Sequence, residues 1–125
     1  MKKLILILGL LVLASCVNPE KQALLSKVAN QSIICGTIDD CEVKWGRSIL
    51  WITQNSHWKI RQQTEQLITT EGPLDSTEAA FVVNKIPLGG GKYQIDIQAA
   101  CGNPFGCVPE TLDLRADFVQ FVLSK

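Results

Sequence analysis

The sequence predicts an α+β domain in which a three-stranded antiparallel meander sheet packs against helices. Apolar side chains recur at helical spacing in three segments, and apolar and polar side chains alternate in three others. Three consecutive glycines join the last two alternating segments, which is typical of a tight hairpin turn. The helical segments are about 19–32, 40–56 and 111–123, and the alternating segments are about 58–68, 79–86 and 92–100.

The first helix is predicted to begin at Pro19. Asn18 is a favoured N-cap residue, proline is favoured at the first helical position, and Glu20 places an acid where the helix dipole favours one. We expect this helix to end near Ser32, before Gly36. Its apolar stripe consists of Leu24, Leu25, Val28 and Ala29.

The second helix begins with a sequence that resembles a capping box. Asp39 replaces the usual Ser or Thr, and Glu42 follows three residues later. At helical spacing, Trp45, Ile49 and Ile52 share one side, which we expect to face the core.

Trp51 falls on the opposite side of this helix. Arg47 precedes it by four residues, so the two side chains are close enough for cation–π stacking. Two interpretations are open: another element covers Trp51, or Trp51 is an exposed anchor for a partner. Because Trp and Arg dominate interface hot spots, Arg47 and Trp51 are candidate partner-binding residues.

The first sixteen residues resemble the signal sequences of bacterial lipoproteins. Lys2 and Lys3 precede the apolar residues 4–13, and Ala14-Ser15-Cys16 completes a lipobox. The resemblance implies cleavage before Cys16, which then carries a diacylglyceryl group on sulfur and an acyl group on its amino terminus. The alternative is a plain secretory signal with an incidental cysteine. The apolar run is shorter than the ~20 residues that a membrane-spanning helix needs.

This resemblance also implies the domain organisation and the location. Residues 1–15 are the signal peptide, residues 16–21 are the lipidated terminus and a short tether, and residues 22–125 form one domain. An aspartate directly after the lipidated cysteine is the usual inner-membrane retention signal in Gram-negative lipoproteins. Because Val17 stands there, we expect attachment to the outer membrane facing the periplasm, provided that the source is Gram-negative.

The four remaining cysteines are predicted to form disulfides. An even number of cysteines is typical of an exported domain, and three connectivities are possible. Cys35 and Cys41 have the same separation as Cys101 and Cys107, so we favour two local loops. A zinc site is the alternative, but structural zinc ligands usually come as more closely spaced cysteine pairs.

The second cysteine loop contains Asn103-Pro104-Phe105. Asn and Pro favour turns, so the closed loop either presents Phe105 to solvent or folds it inward. We take Phe105 as a third candidate partner-binding residue.

The charge balance makes nucleic acid a poor candidate partner. The chain has twelve basic and twelve acidic residues, and cleavage before Cys16 removes Lys2 and Lys3 to leave ten basic residues in a mature chain of 110. The sequence has no stripe of basic residues that would contact the phosphate backbone of a nucleic acid.

No residue pattern points to catalysis, a metal or a cofactor. The single histidine, His57, lies at a predicted helix-to-strand junction. The only nucleophile beside it is Ser56, and adjacent residues in this arrangement rarely converge as base and nucleophile. Glu65 and Asp96 are candidates for an acid–base pair, but polar neighbours favour a solvated face. Asp39 and Asp40 are too few ligands for calcium.

The mature chain is similar to small uncharacterised proteobacterial lipoproteins. The similarity covers about residues 42–121 and rests on Trp45, Trp51, the Asn55-Ser56 pair and the 101–107 loop. That group has no established activity and therefore implies no functional residues. The order of helices and strands loosely resembles the helix-grip domains of a lipoprotein subunit in the outer-membrane β-barrel assembly machinery, and such topology does not imply function.

These features predict a lipid-anchored periplasmic binding or accessory protein of the cell envelope, without catalytic activity. Its expected contacts are the membrane, through the N-terminal lipid, and an envelope protein. The alternative is an inhibitor or immunity protein, in which the 101–107 loop blocks the cleft of an enzyme or toxin.

Overall fold

The computed structural model describes residues 18–125. The predicted signal peptide and Cys16 lie outside these residues. The elements in chain order are α1 (Pro19–Ala29), β1 (Ile33–Cys35), α2 (Ile38–Asn55), β2 (Ile60–Gln63), β3 (Leu67–Thr70), β4 (Ala80–Gly89), β5 (Lys92–Ala100) and α3 (Thr111–Leu123).

The helix starts follow from local capping chemistry. The predicted cap of α1 is confirmed, because the Asn18 side chain accepts a hydrogen bond from the Glu20 amide at 3.1 Å. The predicted capping box of α2 is wrong, because its N-cap is Thr37, whose hydroxyl accepts from the Asp40 amide at 3.2 Å. Asp39 lies in the first turn instead, where its charge suits the helix dipole.

The strands form one antiparallel sheet of five, in the order β1-β5-β4-β3-β2. The predicted three-stranded sheet is therefore wrong. β1 has only three residues, too few to show an alternating pattern, and it begins where the first helix was expected to end. The chain leaves α1 at Ala29 to reach it.

The long strand predicted over residues 58–68 is a hairpin formed by β2 and β3. Thr64 makes the turn, because its hydroxyl accepts from the amides of Gln66 at 3.2 Å and Leu67 at 3.0 Å. The turn contains neither glycine nor proline, and residues 62–66 are all polar, so no turn residue marks the reversal in the sequence.

The other two strands and the last helix agree with their predictions. β5 and α3 have the predicted bounds, and β4 extends the predicted second strand as far as the glycines. Gly90 and Gly91 form the hairpin turn, where both take positive φ angles that glycine adopts without strain.

The core lies between one face of the sheet and helices α2 and α3, while α1 packs against α3. The cross-strand pairs Ile33 with Ile95, Val83 with Ile97, and Ile68 with Val83 place the apolar side chains of four strands on that face. The helices contribute Trp45, Trp51, Ile52, Phe118, Val119 and Val122.

Each disulfide joins the two cysteines that lie nearest to each other in the sequence, so the predicted local pairing is confirmed. Cys35–Cys41 connects β1 to the first turn of α2, and Cys101–Cys107 closes the loop between β5 and α3. By the loop-entropy model each contributes roughly 2 to 3 kcal/mol, a large part of the stability of a domain this small.

Trp51 is at the centre of the core, with 1% of its surface exposed. Its ring meets the rings of Phe81 and Phe118 edge-on, at 5.4 and 5.3 Å between centroids, and its Nε1 donates to Asp117 Oδ2 at 2.7 Å. Helix α3 therefore covers the side of α2 that lies opposite Trp45. The interpretation of Trp51 as an exposed partner anchor is wrong, and the covered interpretation is right.

We expect Trp51→Ala to lower the free energy of unfolding by roughly 3 to 5 kcal/mol, because it leaves a cavity and removes a hydrogen bond. Leu50→Ala is the matched control. Leu50 directly precedes Trp51 in the same helix and is 46% exposed. Removing its side chain should therefore lower the free energy of unfolding by less than about 1 kcal/mol. Urea unfolding of the oxidised protein measures both values, and similar values for the two variants would contradict the central position of Trp51.

Candidate binding surface

The loop between the disulfide cysteines has a fixed backbone. The Cys101–Cys107 bond closes it, the Asn103 side chain accepts from the Phe105 amide at 2.8 Å, and the Asn103 carbonyl accepts from the Gly106 amide at 3.1 Å. Gly106 takes a φ of 94°, which only glycine adopts without strain. The covalent link and two local hydrogen bonds thus define the conformation of the whole loop.

Phe105 projects from this loop into solvent and is 94% exposed. Of the two orientations left open by the sequence, the outward one is therefore present. The cause is local: the turn at Asn103 and the left-handed Gly106 lie on either side of Phe105 in a loop too short to fold back on the core. Its role as a partner-binding residue stays a prediction.

A second loop, residues 71–79, packs against the first. The Val108 amide donates to the Thr77 carbonyl at 3.0 Å, and Gly102 lies so close to the Leu74 carbonyl that a Cβ at this position would clash with it. Trp58 Nε1 holds the second loop to the body through the Glu78 carbonyl at 3.1 Å.

Three exposed apolar side chains form what we call the apolar tip: Leu74 in the second loop, Phe105 in the first, and Val108 directly after Cys107. Leu74 is 67% exposed and Val108 is 66% exposed. An open depression of about 830 Å³ lies along residues 100–111. Exposed apolar side chains gathered in neighbouring loops are typical of interaction sites, whereas single ones are ordinary.

The loops around the apolar tip are acidic. Residues 71–79 and 101–113 contain no Lys or Arg. Their acidic residues are Glu71, Asp75, Glu78, Glu110 and Asp113. The nearest basic residue on the C-terminal side, Arg115, is already paired with Asp96 at 3.1 Å. The two segments that carry the apolar tip therefore have a net negative charge.

Arg47 has a structural contact that the sequence did not reveal. Its Nη1 donates to the backbone carbonyls of Val122, at 3.2 Å, and Ser124. It thereby satisfies carbonyl groups that the end of α3 leaves without helical partners. The predicted stacking of Arg47 on Trp51 is wrong, because the guanidinium is directed to the end of α3 and Trp51 contacts Phe81 and Phe118.

A second cleft, missed from the sequence, lies between α2 and the sheet. Lys85 Nζ is 5.3 Å from the centroid of Trp45 and 5.4 Å from that of Tyr93, and Glu42 and Glu65 also line the cleft, whose volume is about 360 Å³. Because side chains alternate along a strand, Lys85 lies on the same face as Val83. This alternation was the one signal in the sequence that could have predicted the cleft. Two aromatic faces already stabilise the ammonium group.

The residues considered for catalysis do not form a reactive group. His57 is exposed and meets the Trp58 ring edge-on at 5.4 Å, and the neighbouring Ser56 hydroxyl donates to the Trp58 carbonyl at 2.7 Å. Asp96 is held by Arg115, while Glu65 is exposed. Within residues 18–125, no three His, Cys, Asp or Glu side chains are grouped so that they could hold a metal ion.

No helix among the described residues combines the length and apolar character needed to cross a bilayer. No family model matches the chain, and no curated protein or solved structure shows significant similarity to it.

Asp40 and Lys44 link the start of α2 to β1. Lys44 Nζ donates to Asp40 Oδ2 at 2.9 Å and to the Ile34 carbonyl at 2.7 Å. Because the ammonium donates a hydrogen bond to the carboxylate, the pKa of Asp40 lies below its ordinary value.

We expect Lys44→Met to raise the pKa of Asp40 toward its ordinary value, whereas Lys44→Arg keeps it low. A carboxyl group with a lowered folded pKa stabilises the fold above its unfolded pKa of about 4, and this contribution disappears as the pH falls through the folded value. NMR titration of the Asp40 side chain measures the shift. An unchanged pKa in Lys44→Met would show that the lysine is not its cause.

Proposed function

We propose that this chain is a lipid-anchored protein of the cell envelope that works by binding a partner protein through its apolar tip. The observation that carries the proposal is the 94% exposure of Phe105 on a covalently closed loop. Burying a phenylalanine side chain stabilises a protein or a complex by about 1.5 to 3 kcal/mol. Folding does not bury Phe105, so a partner that buries it gains this stabilisation.

The 101–107 loop is well suited to binding because its conformation is already ordered in the free protein. Its backbone is fixed before contact, so association avoids much of the entropy loss that weakens flexible loops. Aromatic side chains that fill a pocket supply a large share of the energy in protein interfaces. The acidic surroundings favour a partner pocket with a basic rim, since complementary charge speeds encounter and fixes orientation.

The helix arrangement directs the apolar tip away from the proposed lipid. Arg115 near the start of α3 donates from Nε to the Ala29 carbonyl at the end of α1, and the two helices pack along each other, so they run antiparallel. The start of α1 and the loop before α3 therefore lie at opposite ends of this pair. An 11-residue helix is about 16 Å long.

The proposed anchor holds the domain close to the bilayer. Only Val17 and Asn18 separate Cys16 from Pro19, where α1 begins, so the free tether reaches about 10 Å at most. This tether is shorter than the expected residues 16–21, because Pro19–Ala29 is helical. In a Gram-negative source, Val17 in place of aspartate favours the outer membrane, with the apolar tip facing the periplasm.

We expect Cys16→Ser to release the protein from membranes, because several acyl chains are needed for stable anchoring and this change prevents their attachment. Fractionation of envelopes and intact-mass analysis of the mature terminus measure the result. The double variant Cys101→Ser/Cys107→Ser is the control, since it removes two other cysteines and should leave the protein in the membrane fraction. Membrane retention of Cys16→Ser would contradict the anchor.

We expect Phe105→Ala to weaken partner binding at least tenfold while it changes the free energy of unfolding by less than about 0.5 kcal/mol. Leu50→Ala, also at an exposed apolar position, is the matched control and should bind normally. Quantitative crosslinking in intact envelopes, followed by a binding assay with the purified partner, measures the difference. Equal binding by the two variants would exclude the apolar tip as the interface.

An inhibitor or immunity protein is the second candidate, since a closed loop with one projecting aromatic residue also suits insertion into an enzyme cleft. The identity of the crosslinked partner separates the two functions. An envelope assembly component supports the first, whereas a single toxin or hydrolase supports the second. In the second case the purified protein inhibits that enzyme, and Phe105→Ala relieves the inhibition.

A further inference from the structure

The start of α2 projects past the end of α3. Trp51 of α2 donates to Asp117 of α3, and Arg47, four residues earlier in α2, donates to the Val122 carbonyl near the end of α3. Moving back along α2 therefore moves forward along α3, so the two helices run antiparallel. Nine residues separate Arg47 from Ile38, where α2 begins. At about 1.5 Å per residue, α2 extends roughly 10 Å past the end of α3.

The start of α1 lies nearly level with the end of α3. The Ala29 carbonyl at the end of α1 accepts from Arg115, and these two helices are also antiparallel. From Ala29 back to Pro19 is about 15 Å, and from Arg115 forward to Leu123 is about 12 Å. The start of α2 thus extends beyond Pro19 in the direction in which the chain leads to Cys16.

The β4–β5 hairpin ends beside the start of α2. Ile38 and Gly91 line the same cleft between α2 and the sheet. The Cys35–Cys41 disulfide joins the first turn of α2 to β1, which pairs with β5. We call Ile38 and the hairpin residues 88–91 the basal end. The disulfide and the sheet hold its two parts in a fixed relation.

The basal end presents two apolar side chains to solvent. Ile38 is 79% exposed, and Leu88 is 50% exposed. One stands at the first turn of a helix and the other at the tip of a hairpin, so both belong to elements that project from the domain. Exposed apolar side chains grouped at one end of a domain are typical of a contact with a partner or a membrane.

The charges near the basal end largely cancel. Segments 36–40 and 86–92 contain three charged residues, Asp39, Asp40 and Lys92. Asp40 is paired with Lys44 at 2.9 Å, which leaves one exposed acid and one exposed base. Juxtamembrane attraction to anionic lipids requires a cluster of basic residues. A bilayer contact at the basal end must therefore come from the apolar side chains.

We propose that the basal end contacts the lipid bilayer and that Ile38 and Leu88 insert among its headgroups. This inference rests on the proposed lipid anchor at Cys16. The tether from Cys16 to Pro19 spans about 10 Å at most, which is about the distance by which α2 projects past Pro19. With the helices directed at the bilayer, the acyl chains enter it only if the basal end reaches the headgroups. Burial of the two apolar side chains favours this orientation over one in which the domain lies on its side.

The test uses the mature lipidated protein, purified from membranes and reconstituted in phosphatidylcholine nanodiscs that contain a lipid with a paramagnetic headgroup. NMR measures the broadening of each backbone amide, which rises steeply as the amide approaches the headgroups. The amides of Ile38 and Leu88 should broaden at least fivefold more than the amide of Phe105 at the opposite end. High salt should leave this difference unchanged, because salt screens charges and not apolar contacts.

The double variant Ile38→Ser/Leu88→Ser should reduce the broadening of the neighbouring Gly90 amide at least threefold. Leu74→Ser is the matched control, since Leu74 is 67% exposed in a loop at the opposite end. This control should leave the broadening of Gly90 unchanged. All three positions are exposed, so unchanged chemical shifts in the core verify that both variants fold normally.

Intact-mass analysis of the purified protein separates the two possible failures. A bare Cys16 overturns the proposed anchor and this inference together. An acylated chain whose basal end broadens no more than Phe105 leaves the anchor standing and overturns the bilayer contact. The contact is also overturned if high salt removes the broadening, or if two copies of the domain bury Ile38 and Leu88 between them and shield both amides from the lipid.

Discussion

The packing of α3 over Trp51 determines how the rest of the domain is arranged. Trp51 contacts aromatic rings from β4 and α3 and donates a hydrogen bond to Asp117, so one side chain of α2 joins this helix to both the sheet and α3. Arg47, one turn earlier, holds the end of α3 through its backbone carbonyls. With α3 fixed in this way, the loop that precedes it must emerge at the opposite end of the helix, where Phe105 is exposed.

The parts of the fold that follow from the sequence are those with strong local signals. The three consecutive glycines and the regular alternation defined β5 and its hairpin, and an apolar face defined α3. β1 was missed because three residues carry no periodicity. The β2–β3 hairpin was missed because Thr64 makes its turn with a hydroxyl group, in a polar segment that contains no glycine or proline.

The candidate functional residues divide along a similar line. Phe105 as a candidate and the two local disulfides could be predicted, because loop length and cysteine spacing are properties of short segments. Arg47 and Trp51 were assigned to a free surface because a single helix viewed alone has an outer side, and only the position of α3 shows that this side is covered. The pairing of β1 with β5 was missed for the same reason, because it is a relation between strands distant in sequence.

The spacing of the cysteines also bears on how the chain matures. In each disulfide the partner is the nearest thiol along the sequence after Cys16, six residues away, whereas 60 residues separate Cys41 from Cys101. Closure of short loops is entropically favoured over closure of long ones. An unfolded chain in which the short loops close first therefore acquires these two bonds directly, without the exchange of incorrect pairs.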